Sequence, residues 1–168
     1  PEQLFAMVVD IEKYPQFLPW CRGARIISRE IDGAFLGELI ISFSHLTERY
    51  TSRVTPVAPE LRRHSRVCPE NPSEKMDPRN KSEDDEIVKY SEGRIDVALV
   101  TGPFTHLNNH WRFVPHAEGC EIHLDLDFEF KSKLLDKMIG GLFSRASAKM
   151  VSAFTARAHA LYGVAKPA

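Results

Sequence analysis

Residues 122–130 alternate without a break: Ile122, Leu124, Leu126, Phe128 and Phe130 are apolar, and His123, Asp125, Asp127 and Glu129 between them are not. Successive side chains of a strand point to opposite faces, so this stretch reads as a strand with one buried face and one in water. A long helical pattern follows at once. Ser132 is a suitable N-cap, Asp136 lies near the end that favours negative charge, and Gly163 is a natural stop. Between them Leu135, Met138, Ile139, Leu142, Ala146, Met150, Ala153 and Phe154 form an apolar stripe. At 1.5 Å per residue such a helix runs roughly 45 Å, enough to cross a whole sheet. Gly140-Gly141 interrupts the stripe, either as a bend or close contact, or as a gap over which a ligand lies.

The rest of the chain supplies that sheet. Strands are predicted over 25–30, 36–43, 48–57, 94–101 and 107–114, with Asp32-Gly33 as a hairpin turn. Short connections make the first three an antiparallel meander. Residues 1–18 read as a short helical region broken by Pro15 and Pro19. Residues 58–93 differ in kind. They hold Pro59, Pro69, Pro72 and Pro78, few large apolar residues and the acidic run Glu83-Asp84-Asp85-Glu86. Such a segment buries too little apolar surface to offset its ordering entropy, and reads as a disordered insertion in a hairpin loop of a single 1–168 domain.

Composition narrows the function. Twenty-two Lys+Arg against 23 Asp+Glu leave a net charge of -1, so a whole-chain basic field for gripping DNA is absent. Cys21, Cys68 and Cys120 are odd in number and widely spaced, which fits a reducing compartment better than a disulfide framework. There is no nucleophile elbow, phosphate-binding loop or paired Cys-x-x-Cys. On a strand His106 and His110 would share a face about 13 Å apart, too far for one zinc. The carboxylates Asp125, Asp127 and Glu129 read as a solvated row rather than an acid/base pair. No catalytic residue and no metal ligand is therefore nominated. The inward residues, Phe43, Trp111, Phe113, Phe128, Phe130, Met138 and Phe154, allow two readings: a solid core, or the wall of a pocket for an apolar ligand.

Three segments carry a resemblance. They are Pro1-Glu2-Gln3-Leu4-Phe5 followed by 9–21 (VDIEKYPQFLPWC), Gly102-Pro103-Phe104 followed by 107–113 (LNNHWRF), and 128–132 (FEFKS) with Leu134-Leu135. Together they resemble the coenzyme Q-binding START-like proteins of the polyketide cyclase/dehydrase superfamily, which also contains the bacterial ribosome-association toxins. The resemblance implies an α+β helix-grip fold of START/Bet v 1 type, a curved antiparallel sheet wrapped around a long C-terminal helix. In that fold a strand precedes the two short helices. This chain begins at the helices, so the first strand is expected to be missing and an edge exposed.

The function implied is non-catalytic binding of a polyprenyl quinone such as ubiquinone, in support of respiratory electron transport and quinone biosynthesis. The quinone would be a bound ligand, with no cofactor required. Trp20, Asn109, Trp111 and Arg112 are candidates for the polar head at the mouth. Phe43, Phe113, Leu135, Met138, Ile139 and Leu142 are candidates for the tail. Tyr14, Phe17 and Leu18 would either touch a membrane surface peripherally or cap the core. The mitochondrial inner membrane on its matrix side and the bacterial cytoplasm beside the inner membrane both fit. The chain begins at Pro1, so an absent targeting segment says nothing. Two alternatives remain. One is a ribosome-association role using Arg22, Arg25, Arg62, Arg63, Arg66, Arg145, Lys149 and Arg157. The other is a polyketide cyclase-like enzyme.

Overall fold

The computed structural model describes residues 1–43, 46–63, 88–116 and 119–163, and within them not the side chains of residues 43, 62, 63, 88, 89 and 134–147. Helix α1 (Glu2–Val9) leads into a 3-10 helix (Ile11–Gln16). Six strands form one antiparallel sheet in the order β1 (Cys21–Arg29), β2 (Phe35–Phe43), β3 (Leu46–Val57), β6 (Gly93–Thr101), β7 (Phe104–His116) and β8 (Gly119–Phe130). Helix α2 (Lys133–Tyr162) then runs unbroken for 30 residues through Gly140-Gly141. This is the helix-grip architecture. All six sheet strands lie where the alternating patterns place them, each extended by one to four residues at an end.

The 58–93 stretch departs from expectation at its ends. Strands β4 (Leu61–Arg63) and β5 (Val88–Tyr90) pair as a separate ladder, with Leu61 opposite Tyr90. The Ser91 and Glu60 backbones close its base, Ser91 N–H donating to the Glu60 carbonyl at 2.8 Å, and Glu60 N–H donating to Ser91 Oγ at 2.8 Å. Isolated Leu61, Val88 and Tyr90 show no alternation long enough to announce a strand. The remaining residues of the insertion, 64–87, lie outside the described residues.

Register decides which side chains look inward. Trp111 stands between Ile95 and Leu124, Asn109 between Val97 and Leu126, and Val54 opposite Val97 and Phe35. One face of the sheet is thus mostly apolar across β2, β3, β6, β7 and β8, with Asn109 and Ser52 among its polar members. The 3-10 helix presses onto it so closely that a Cβ at Gly37 would stand 2.6 Å from Ile11 Cδ1, which explains a glycine in mid-strand. At the β1–β2 hairpin Gly33 takes φ 85, the left-handed region. Asp32 Oδ1 accepts the Ala34 N–H there, and Arg53 also reaches the carboxylate; together they hold it below the usual range.

Two apolar clusters share this face. The larger joins α1, the 3-10 helix and the second half of α2 to the sheet, around Met7, Tyr14, Phe35, Ile95, Phe113 and Phe154. The smaller gathers Phe104, Leu107 and Phe130, with Leu46, Tyr50 and Leu99, where β8 hands over to α2. Phe154 binds the larger one together: its ring meets those of Tyr14, Phe17 and Trp111 edge-on at 5.5, 5.2 and 5.4 Å.

Candidate functional site

Strand β8, whose pattern is the plainest in the sequence, ends the sheet, and its inward residues are only partly covered. Ile122 is 36% exposed. The reason is a hollow of about 910 Å³ between β8, α1 and the C-terminal half of α2. Leu4, Met7 and Val8 of α1, Ile122, Leu124 and Leu126 of β8, and Met150, Val151, Phe154 and Ala158 of α2 supply its walls, with Trp111 among them. Among the described residues its lining contains no Asp, Glu, Lys or Arg. The polar lining groups belong to Gln3, Cys120, Thr155, His159 and Tyr162. The volume lies in the range of pockets that enclose small molecules, and the wall chemistry suits an apolar one.

Two contacts hold the helices around it. The Tyr162 hydroxyl donates to the Gln3 carbonyl at 3.0 Å, tying the end of α2 to α1. Arg157 donates to Gln16 Oε1 at 3.2 Å and lies 5.6 Å from the Phe17 ring centroid, tying α2 to the 3-10 helix. Val151, 62% exposed, stands at the rim. Cys120 is a free thiol in the wall, and burial pushes its pKa up.

The residues nominated from sequence divide as follows. Trp111 lines the hollow, and Asn109 is its neighbour on the same face of β7. Phe113 is fully buried, with its ring 5.5 Å from that of Phe5, and stands in the packed core instead of the hollow's lining. Trp20 is partly buried against the larger cluster, at the far side of the sheet from β8. The side chains of Phe43, Leu135, Met138, Ile139 and Leu142 lie outside the described residues. Of the apolar loop, Tyr14 and Leu18 are buried at 8% and 5%, and Phe17 packs on Tyr14 and Phe154. The Tyr14 hydroxyl donates to the Val8 carbonyl at 2.6 Å, and burial holds the phenol neutral far beyond its ordinary range. These side chains cap the core, which is the second of the two roles open to them.

Sequence reasoning missed the contribution of α1 to the wall, Gln3 included, and also Cys120 of β8 and Thr155 and Tyr162 of α2. The available signal was the apolar side of α1, whose Leu4 and Val8 are a helical turn apart. On the opposite, outer face of the sheet the polar residues of β6, β7 and β8 pair with one another. His106 meets Asp127 at 3.1 Å and His110 meets Asp96 at 2.8 Å.

Residues 1–155 match the family of polyketide cyclase / dehydrase and lipid transport proteins. The chain belongs to that family. Among its relatives the chain is 37% identical over 158 residues to the ribosome association toxin RatA of Rickettsia prowazekii, covering 94% of this chain and 88% of that protein. It is 27% identical over 166 residues to the coenzyme Q-binding protein COQ10 homolog B, mitochondrial, of Xenopus laevis, covering 96% of this chain and 54% of that protein. A solution structure of an 18 kDa protein from Caulobacter crescentus is similar at 31% identity and a TM-score of 0.63, covering 98% of this chain and 91% of that one.

Proposed function

We propose that this protein binds a polyprenyl quinone, without chemical change, in the hollow between α1, β8 and α2. One observation carries the reading: a hollow of about 910 Å³ whose lining, among the described residues, has no Asp, Glu, Lys or Arg. A polyprenyl tail is insoluble, and moving it onto such a wall releases about 25 cal/mol for each Å² of apolar surface taken from water. The family's association with lipid transport and the coenzyme Q-binding name of one relative support the same class of ligand. Among the described residues the lining supplies a thiol, an imidazole and a phenol but no carboxylate to work against them, which suits binding better than a cyclase reaction.

The test is a titration with a short-chain quinone, read by quenching of Trp111 fluorescence, joined to mass spectrometry of lipids that co-purify. Saturable quenching is expected, and Val151→Arg should weaken it at least tenfold, since it places a cation at the rim of an apolar site. Val151 is exposed, so that variant should melt like the parent. Absence of both quenching and bound lipid would refute the proposal.

A second reading, association with ribosomes, is favoured by the names of the relatives at 30% identity and above. Of the basic residues available to it, Arg25 is joined to Glu38 and Arg157 to Gln16. Co-sedimentation with ribosomes that falls steeply with salt would support it.

A further inference from the structure

We infer that the hollow holds an amphiphilic guest in one orientation: a neutral polar head at the end formed by Gln3, His159 and the start of β8, and the tail inward along Leu124 and Leu126. The inference rests on the proposed quinone-binding reading and adds which end of the ligand faces water. It comes from the way polar and apolar groups are sorted along the lining.

Contacts fix two levels in the hollow. At the inner level the Phe154 ring meets Trp111 at 5.4 Å, and Trp111 pairs with Leu124. At the outer level the Tyr162 hydroxyl donates to the Gln3 carbonyl at 3.0 Å. Phe5, in the same part of α1, meets Phe113 at 5.5 Å, and Phe113 pairs with Ile122, close to Cys120 on β8. From Phe154 to Tyr162 the helix rises about 12 Å. The lining changes character between these levels. Leu124, Leu126, Met150, Val151 and Phe154 line the inner part, where the Trp111 indole supplies a donor. Gln3, Cys120, His159 and Tyr162 line the outer part, and Thr155 marks the change.

Two of the outer groups are available to a ligand. The Gln3 carboxamide and the His159 ring are exposed and have no hydrogen-bond partner among the described residues. Each keeps an N–H whichever way the amide or the ring tautomer is set, so both can donate to a quinone carbonyl. An ionised head would find no Lys or Arg in the described lining, which favours a neutral one. With the head outward, its carbonyls stand near water and these donors while the tail covers aliphatic wall. The reverse would set the carbonyls among aliphatic side chains, and a buried acceptor without a donor is costly. Val151, at the rim of the inner part, is apolar and gives a head nothing to bond. The head-group candidates read from the sequence stand elsewhere. Trp20 lies across the sheet, Asn109 does not line the hollow, Trp111 belongs to the inner level, and Arg112 faces outward between Arg94 and His123.

The experiment uses Cys120 as a reporter in a Cys68→Ser background, where Cys21 is buried. N-decylmaleimide, an uncharged ring with two carbonyls on an alkyl tail, is compared with N-ethylmaleimide at equal concentration. With the head outward the decyl reagent brings its ring to Cys120, and should label it at least tenfold faster. With the head inward the ring would lie near Leu124, about 13 Å along the strand and out of reach of the thiol. Val151→Arg should remove the acceleration. Gln3→Leu and His159→Leu, both at exposed positions, should each weaken a decyl-substituted quinone by about two- to tenfold, read by Trp111 quenching. Equal labelling rates, with the decyl quinone still quenching Trp111, would overturn the orientation and leave quinone binding intact. Unchanged quinone affinity when both substitutions are combined would overturn the head-group contacts. Absence of both acceleration and quenching would overturn the orientation and quinone binding together.

Discussion

Removing the Phe154 ring tests whether the hollow and the core are held by one keystone. Phe154 is 8% exposed, touches three aromatic rings edge-on, and contributes to the wall of the hollow. Phe→Ala at a buried site costs about 3–5 kcal/mol from lost transfer and the space left behind. Each edge-to-face pair carries about 0.5–1.5 kcal/mol beyond area, which places a residue with three of them high in that range. The side facing the hollow has fewer atoms to lose and pulls the figure down. About 4 kcal/mol is the expected balance for Phe154→Ala. Phe154→Leu keeps most of the apolar volume and loses the ring pairs, and should cost about half as much. Urea unfolding followed by circular dichroism reads both. With a slope of about 2 kcal/mol per molar, the alanine variant should unfold about 2 M earlier at unchanged slope. A loss under about 1 kcal/mol at the same slope would refute the reasoning: α2 would then be fastened to the sheet by other residues.

Four further outcomes are expected. A ligand of the hollow present at a hundred times its Kd should raise the unfolding free energy by about 2.7 kcal/mol, seen as a higher melting temperature, and Val151→Arg should cut that gain to about 1.4 kcal/mol or less. In a Cys68→Ser background, maleimide should label Cys120, since Cys21 is buried. The same ligand should slow that labelling, and the raised pKa of Cys120 should push the rise in its rate to a pH above that of an ordinary thiol. Tyr14→Phe removes the donor to the Val8 carbonyl and should cost about 1–3 kcal/mol in urea. Burial raises the pKa of both Tyr14 and Tyr50, so the unfolded chain ionises first, at its ordinary value near 10. Stability from these phenols is therefore complete below about pH 10 and declines above it. Urea midpoints between pH 9 and 11 should fall, less so in Tyr14→Phe, and a flat profile would contradict the burial of both rings.

The sheet and the terminal helix were legible because period-two and helical patterns are long in this chain. β8 has five alternating apolar positions, and the stripe of α2 runs from Leu135 to Phe154. The location of the hollow was less legible for a physical reason: alternation reports that Ile122, Leu124 and Leu126 avoid water, and a hollow wall satisfies that as well as a solid core does. Trp111 and Phe113 are two residues apart on one face and equally aromatic, yet one lines the hollow and the other fills the core. Phe113 packs against Phe5 of α1, while Trp111 meets Phe154 of α2 and borders the hollow. The β4–β5 ladder escaped notice because three-residue strands carry too few side chains to show a period. Asn109 Oδ1 is buried without a hydrogen-bond partner because Val97 and Leu126 stand opposite it, which is a matter of register between strands.

Among the described residues the two apolar clusters have none in common. Substitutions confined to one of them should therefore add to substitutions in the other with little coupling, as with independent sites elsewhere. A chain organised this way can be remodelled around its guest, at Met150, Leu124 or Met7, while the half that seats Phe104 and Phe130 keeps its own packing. Tolerance to change at one end of the sheet then need not be bought back at the other, which leaves pocket shape free to drift between relatives that retain the same scaffold.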